Sequence, residues 1–191
     1  MNFDFINHDF RIHKNQIQFL NKKNIIDDWN IIFASTGENA NKAQRITRIE
    51  KLITDDNFLL TYGDGLADID ISELIDFHKK HNKLITISGV DIQGRFGELL
   101  IEKNMLKKFE EKPTSPGKYI NGGFFVIKKE IFKYLRKLKS NQDFETHLLP
   151  SLAKINQVMV FKHDGFWSCM DNHRDYLHLN SLVKKKNYPW K

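Results

Sequence analysis

The stretch "LLTYGDGLADID", Leu59 to Asp70, starts as a buried strand and ends among acids. Leu59, Leu60, Thr61 and Tyr62 have the apolar, β-branched and aromatic character of a strand, and Gly63 and Gly65 then flank one carboxylate, Asp64. A surface loop accepts any polar residue. A lone acid between two residues without side chains indicates that something must approach the backbone and the carboxylate together.

The neighbouring segments set that stretch in an alternating pattern. "NFLLTY" (57–62) is a strand, and Asp70 opens a helix with Glu73 three positions on, in the sense of a capping box. Ile71, Leu74, Ile75 and His78 share one face of that helix, and "KLITISGV" (83–90) follows as a buried strand. Upstream, residues 3–20 suit a hairpin around "HKNQ", "WNIIFAST" (29–36) reads as a strand, and "AQRITRIEKLI" (43–53) as a helix through Ile46, Ile49, Leu52 and Ile53. Downstream, "ELLIEKNMLKKFEEKP" (98–113) predicts a hairpin turning near Lys103 and Asn104, and "GGFFVI" (122–127) a strand. "KKEIFKYLRKL" predicts a helix, "FETHLLPSLAKI" a helix interrupted at Pro150, and "QVMVFKHDGFW" (157–167) a strand running toward Asp171. Alternating strands and helices predict an α/β protein on a mainly parallel sheet. Ligands of such sheets gather beyond the carboxyl ends of the strands, where "YGDG" and "FWSCMD" both lie.

Composition narrows the class. The chain has 191 residues, enough for one domain with a sizeable core, and 40% hydrophobic and 28% charged residues, as in a water-soluble globular protein. A single cysteine, Cys169, excludes an internal disulfide framework. No apolar run reaches a membrane span, and "MNFDFINHDFRIH" mixes acids into its aromatics, unlike a signal peptide, so a cytoplasmic location without membrane association is expected. The net charge of +6 is spread over scattered lysines, with "VKKKNYPWK" the densest run, so no nucleic-acid partner is expected.

The candidate chemistry lies at strand ends. Asp64 and Asp171 are suited to sharing one hard divalent cation, Mg²⁺ in the first place; the alternative is that each caps a helix or turn. Asp70 is a helix cap and Asp68 a solvated loop residue. In "FEEKP", Glu111 suits sugar hydroxyls and Lys112 a phosphate, against the alternative of a solvated Glu–Lys pair on a hairpin. "YINGGFFV" sets Asn121 beside Gly122 and Gly123, and "GRFGE" brackets Arg95 and Phe96 with Gly94 and Gly97; both suit a close ligand or a plain turn. The eight histidines show no HxH or HExxH spacing, and neither a GxSxG elbow nor a GxxxxGK[ST] loop occurs. Zinc chemistry, serine nucleophiles and P-loop chemistry are therefore not expected.

Taken in order, "TYGDGLADIDISELIDFH", "GRFGEL", "FEEKP", "YINGGFFV", "HDGFWSCMDNHRD" and "PWK" resemble the glucose-1-phosphate cytidylyltransferases, a branch of the sugar-phosphate nucleotidyltransferases. The resemblance implies a Rossmann-like nucleotidyltransferase fold with a mixed or mainly parallel sheet, in one domain over 1–191. It also implies Mg²⁺-dependent transfer of CMP from CTP to glucose 1-phosphate, giving CDP-glucose and pyrophosphate. Carried over, Asp64 and Asp171 hold the metal and Lys112 the sugar phosphate, the three forming the catalytic set. Glu111 binds glucose hydroxyls, Gly97, Asn121 and Gly122 line the sugar pocket, and Tyr62 and Gly63 lie near the nucleotide. Two departures accompany it. No GGxGTR loop occurs, so the chain reads as lacking the N-terminal strands of the family pattern, and Lys42-Ala43-Gln44 stands where relatives carry TGG before the arginine. The expectation is weak or absent activity for the chain alone, with two assemblies open: a homo-oligomer, or pairing with a partner chain that supplies the N-terminal unit. The alternative is a non-catalytic module that binds a sugar phosphate or nucleotide and pairs with an intact homologue.

Overall fold

The structure is a computed structural model that describes residues 10–13, 16–19, 30–90, 98–102, 104–110, 119–186 and 188–190. It divides into two units, Met1–Ser35 and Thr36–Lys191. In the first, β1 (Phe10–His13) and β2 (Gln16–Phe19) form the expected hairpin, with Phe10 opposite Phe19. Residues 30–36 correct the reading of "WNIIFAST": they form no strand, and Ile31, Ile32 and Phe33 are exposed. Apolar and β-branched content makes a strand only where a neighbour completes its hydrogen bonds.

The second unit is built on a six-stranded sheet. Its strands are β3 (Asn57–Thr61), β5 (Ile85–Val90), β6 (Glu98–Glu102), β7 (Met105–Glu110), β8 (Ile120–Lys128) and β9 (Val158–His163), in the order β3-β8-β5-β9-β7-β6. The sheet is mixed: β5 runs parallel to β9, whereas β3 and β5 both run antiparallel to β8. Among the described residues β3 pairs with β8 alone, leaving its outer edge without a neighbour. A separate two-stranded ribbon joins β4 (Gly65–Ala67) to β10 (Trp167–Cys169). "QVMVFKHDGFW" is thus two strands, broken over Asp164, Gly165 and Phe166, rather than one.

Period-two alternation divides β8 between two apolar layers. Phe125 and Ile127 join the larger core, together with Ile85 and Ile87 of β5. That core is closed by Ala43 and Ile46 of α1 (Lys42–Arg48), by Phe132 and Leu135 of α3 (Phe132–Leu135), and by Leu149 and Leu152 of α4 (Leu149–Lys154). Phe124 and Val126 face the opposite layer, against Leu74 and Ile75 of α2 (Ile71–His81). Pro150 does not interrupt a helix. It sits in the first turn of α4, after a π-helical turn over Phe144–Leu148, where its missing N–H costs nothing. α5 (His173–Lys184) ends the described fold, and no described helix is long and apolar enough to cross a membrane.

Asp70 caps α2 as expected, its carboxylate accepting from the Glu73 N–H at 3.0 Å. At the opposite end of the helix lies a polar relay that the apolar pattern did not announce. The Lys83 N–H donates to His81 Nδ1 (3.0 Å), which leaves His81 Nε2 to face Thr86 Oγ1 at 2.7 Å. The Thr86 hydroxyl meets His78 Nδ1 (2.8 Å), and His78 Nε2 meets the Asn57 side-chain oxygen (3.2 Å). Each link is satisfied only by neutral imidazoles. Burial lowers His78 to about 4, helped by the charges of His81 and Lys128, and burial likewise lowers His81 to about 4.

The unfolded chain therefore binds protons near 6.5 that the folded chain refuses until about 4. The stability that this relay contributes is complete above pH 6.5 and declines as pH falls toward 4. Denaturant unfolding at pH 7, 5.5 and 4.5 should show that decline, and a His78→Gln, His81→Gln pair should flatten it.

Candidate active site

Two segments distant in sequence meet at the β4–β10 ribbon. Asp64 occupies the turn between β3 and β4, and Asp171 follows β10, one residue before Asn172, the N-cap of α5. Ribbon pairing sets Cys169 opposite Gly65, and the Met170 N–H donates to the Asp64 carbonyl at 2.9 Å. Both aspartates are exposed, and neither forms an ion pair with a lysine or arginine among the described residues.

Cys169 reports on the field these acids create. Burial raises its thiol to about 12, reinforced by a hydrogen bond to Asp171 (3.4 Å) and by the charges of Asp171, Asp175 and Asp64. One thiol thus senses three carboxylates. Such a thiol stays protonated near neutrality and is no nucleophile. The acids have a different fit: exposed, carried by paired backbone segments and without a lysine or arginine partner among the described residues, they suit a hard divalent cation. No cluster of three or more His, Cys, Asp or Glu ligands occurs among the described residues, so such a cation would keep water or substrate oxygens in its shell.

The ribbon is held by contacts outside the expected set. The Trp167 indole N–H donates to the Gly122 carbonyl at 2.7 Å, tying β10 to β8. His163 Nε2 lies 2.8 Å from the Asp68 carboxylate and 3.2 Å from the Phe166 carbonyl. Asp68 is exposed, as expected from its position, and in addition faces His163. The Tyr119 hydroxyl donates to Asp164 at 3.0 Å. The motif "HDGFW" contained these residues, but nothing in it names their partners.

Asn121 and Gly122 stand on β8 beside this ribbon. The Asn121 side-chain oxygen accepts the Gly123 N–H (2.9 Å), and Gly123 takes φ +80, a left-handed conformation that favours glycine. A Cβ on Gly122 would lie 2.6 Å from Ser88 Oγ and 2.9 Å from Val90. This pair is demanded by the protein's own packing. Gly63 differs, because a Cβ there would meet nothing within 4 Å. The Tyr62 hydroxyl donates to Glu145, a buried acid that the sequence did not single out. Gly97, Glu111 and Lys112 lie outside the described residues.

Comparison with known proteins is consistent with this arrangement. The family model "Nucleotidyl transferase" matches residues 6–186. A glucose-1-phosphate cytidylyltransferase of Salmonella typhi is 37% identical over 183 residues, covering 95% of this chain and 70% of that relative. A probable glucose-1-phosphate cytidylyltransferase of Bacillus subtilis is 40% identical over 165 residues, covering 86% of this chain and 64% of the relative. The chain thus spans about two thirds of the length of these curated relatives. Among solved structures, a putative glucose-1-phosphate thymidylyltransferase from Bacillus anthracis superposes with a TM-score of 0.70 at 19% identity, covering 80% of this chain and 65% of that one. HddC from Yersinia pseudotuberculosis superposes at 0.63 and 22% identity, covering 74% and 61%. At such identities the likeness is one of fold.

The glycines separate packing from access. Gly122→Ala should lower stability by about 1–3 kcal/mol through overpacking against Ser88 and Val90. Gly63→Ala should stay within about 0.5 kcal/mol of the parent. Denaturant unfolding of the two variants measures both.

Proposed function

The chain belongs to the nucleotidyl transferase family, and from that premise we propose that it carries the acceptor and metal side of a glucose-1-phosphate cytidylyltransferase site. The observation that carries the reading is the backbone pairing at the β4–β10 ribbon that brings the segments of Asp64 and Asp171 together, with neither acid ion-paired to a lysine or arginine among the described residues. In the proposed reaction a phosphate oxygen of glucose 1-phosphate attacks the α-phosphorus of CTP. A new P–O bond forms, the bond to the β-phosphate oxygen breaks, and CDP-glucose and pyrophosphate leave.

Asp64 and Asp171 would hold Mg²⁺, which supplies charge neutralisation for the phosphates. The remaining work is positioning and electrostatics. Lys112 holds the sugar phosphate as a point charge, and Glu111 accepts from sugar hydroxyls. Gly97, Asn121 and Gly122 border the sugar, with the Gly122 carbonyl already engaged by Trp167. Tyr62 lies close to the nucleotide. Gly63 leaves the Asp64 turn open, and the empty space beside its Cα supports close approach of a triphosphate. A cytoplasmic location suits these nucleotide substrates.

A second reading has its own observation. No GGxGTR sequence occurs in these 191 residues, and Lys42, Ala43 and Gln44 replace the TGG of the family pattern. Without backbone donors for the triphosphate, the chain would bind a sugar phosphate or nucleotide and pair with an intact homologue that completes the site. Loss of one preorganised donor costs roughly 10² to 10³ in rate, so turnover by the chain alone should be slow.

Pyrophosphate release from CTP, glucose 1-phosphate and Mg²⁺ tests the first reading. Slow turnover is expected, reduced on the order of 10²-fold or more in Asp64→Asn and in Asp171→Asn. Calorimetric binding of glucose 1-phosphate with no pyrophosphate release would select the second reading.

A further inference from the structure

Glu145 is the only buried acid among the described residues, 5% exposed, and the reaction outlined above gives it no part. It lies on the π-helical turn Phe144–Leu148. Such turns are uncommon and occur often beside functional sites. Its two carboxylate oxygens have different partners. One accepts the Tyr62 hydroxyl, and the other meets the Lys42 ammonium at the start of α1. Lys42 also lies over the Tyr62 ring, 5.3 Å from its centroid. The three side chains form one closed unit.

Taking a carboxylate out of water costs several kcal/mol unless its partners are well placed, and an apolar side chain would fill the same space without that cost. Packing alone therefore does not account for an acid at this position. Its effect falls on Tyr62, whose ring packs on Phe125 with centroids 5.7 Å apart and whose N–H donates to the Gly123 carbonyl at 3.2 Å. Tyr62 is thus held at hydroxyl, ring and backbone. The next two residues are Gly63, which has no side chain to hold it, and Asp64 on an exposed turn.

We propose that Glu145 is a positioning residue for the cation site. By holding the Tyr62 hydroxyl it fixes the entry to the Gly63–Asp64 turn, so that the Asp64 carboxylate is ordered before a divalent cation arrives. Lys42 balances the buried charge and couples the start of α1 to the same turn. Ordering a ligand in advance removes an entropic cost from binding, and this is the route by which Glu145 acts. It is not itself a ligand, because both of its oxygens are engaged and its side chain is buried. The inference rests on the reading that Asp64 and Asp171 hold the cation.

Mn²⁺ alone is the probe, titrated into the full chain by electron paramagnetic resonance, with exchange of the Gly63 and Gly65 amides as a second readout. Glu145→Gln should weaken Mn²⁺ binding about tenfold and speed exchange of those amides. Tyr62→Phe, which removes only a hydroxyl, should do the same. The double variant should be no weaker than the poorer single one, because both changes break one link. Leu152→Ala serves as control for general destabilisation, since Leu152 lies in the apolar core and is none of the three side chains of this unit; its Mn²⁺ affinity should match the parent. Parent-like affinity in Tyr62→Phe, or an equal loss in Leu152→Ala, overturns the inference while leaving the cation reading intact. If Glu145→Gln fails to fold, Tyr62→Phe decides alone. If the parent binds no Mn²⁺, or Asp64→Asn binds it equally well, the cation reading falls and this inference falls with it.

Discussion

Two strands of three residues each, β4 and β10, hold together the segments that carry Asp64 and Asp171. Strands so short are marginal by themselves, and their pairing persists because each continues into something larger. β4 follows the turn at the end of β3, and β10 follows the turn at the end of β9 and leads to α5. The Met170–Asp64 backbone bond is the last rung of this ladder. Once it forms, two acids from opposite ends of the fold stand on one ribbon, and their combined charge is felt at Cys169. Were the register to slip by one residue, the side chains would exchange faces and the acids would part.

The ribbon depends in turn on β8, whose glycines serve the sheet before any ligand. Gly122 lets Ser88 and Val90 of β5 close against the strand, and its carbonyl anchors the Trp167 indole. Gly123 admits the Tyr62 ring. A single dipeptide thus joins the main sheet, the ribbon and the residue that precedes the Asp64 turn. Gly63 answers no such demand from the protein, and a Cβ there would meet only open space.

Buried polarity is distributed unevenly around this framework. The His78–Thr86–His81 relay has every hydrogen bond satisfied with neutral groups, so it stabilises the packing of α2 on β5 at neutral pH and loses that effect in acid. Glu145 is different in kind, a charge kept inside the fold by one hydroxyl and one ammonium. The relay lies toward the start of β3, where Asn57 ends it, and the Glu145 unit lies at the other end, at Tyr62. The strand that leads into the Asp64 turn is held by polar contacts at both ends.

The sequence by itself determined the local order. The strand ending at Tyr62, the Asp70 cap, the hairpin around Asn104 and the fully buried strand before Val90 all follow from period, capping and turn chemistry acting over a few residues. It also held the motifs by which the family is identified. Where local preference needed a distant partner, it misled: Ile31, Ile32 and Phe33 have strand-forming side chains but no strand, and the exposure expected of Asp68 gave no sign of His163 beside it. Only the tertiary structure decided which acid-bearing segments pair, which glycines are required by packing and which are not, and that Glu145 faces Tyr62. Those outcomes depend on pairings between residues far apart in the chain, and nothing in a residue's immediate neighbours specifies which distant group will complete its hydrogen bonds.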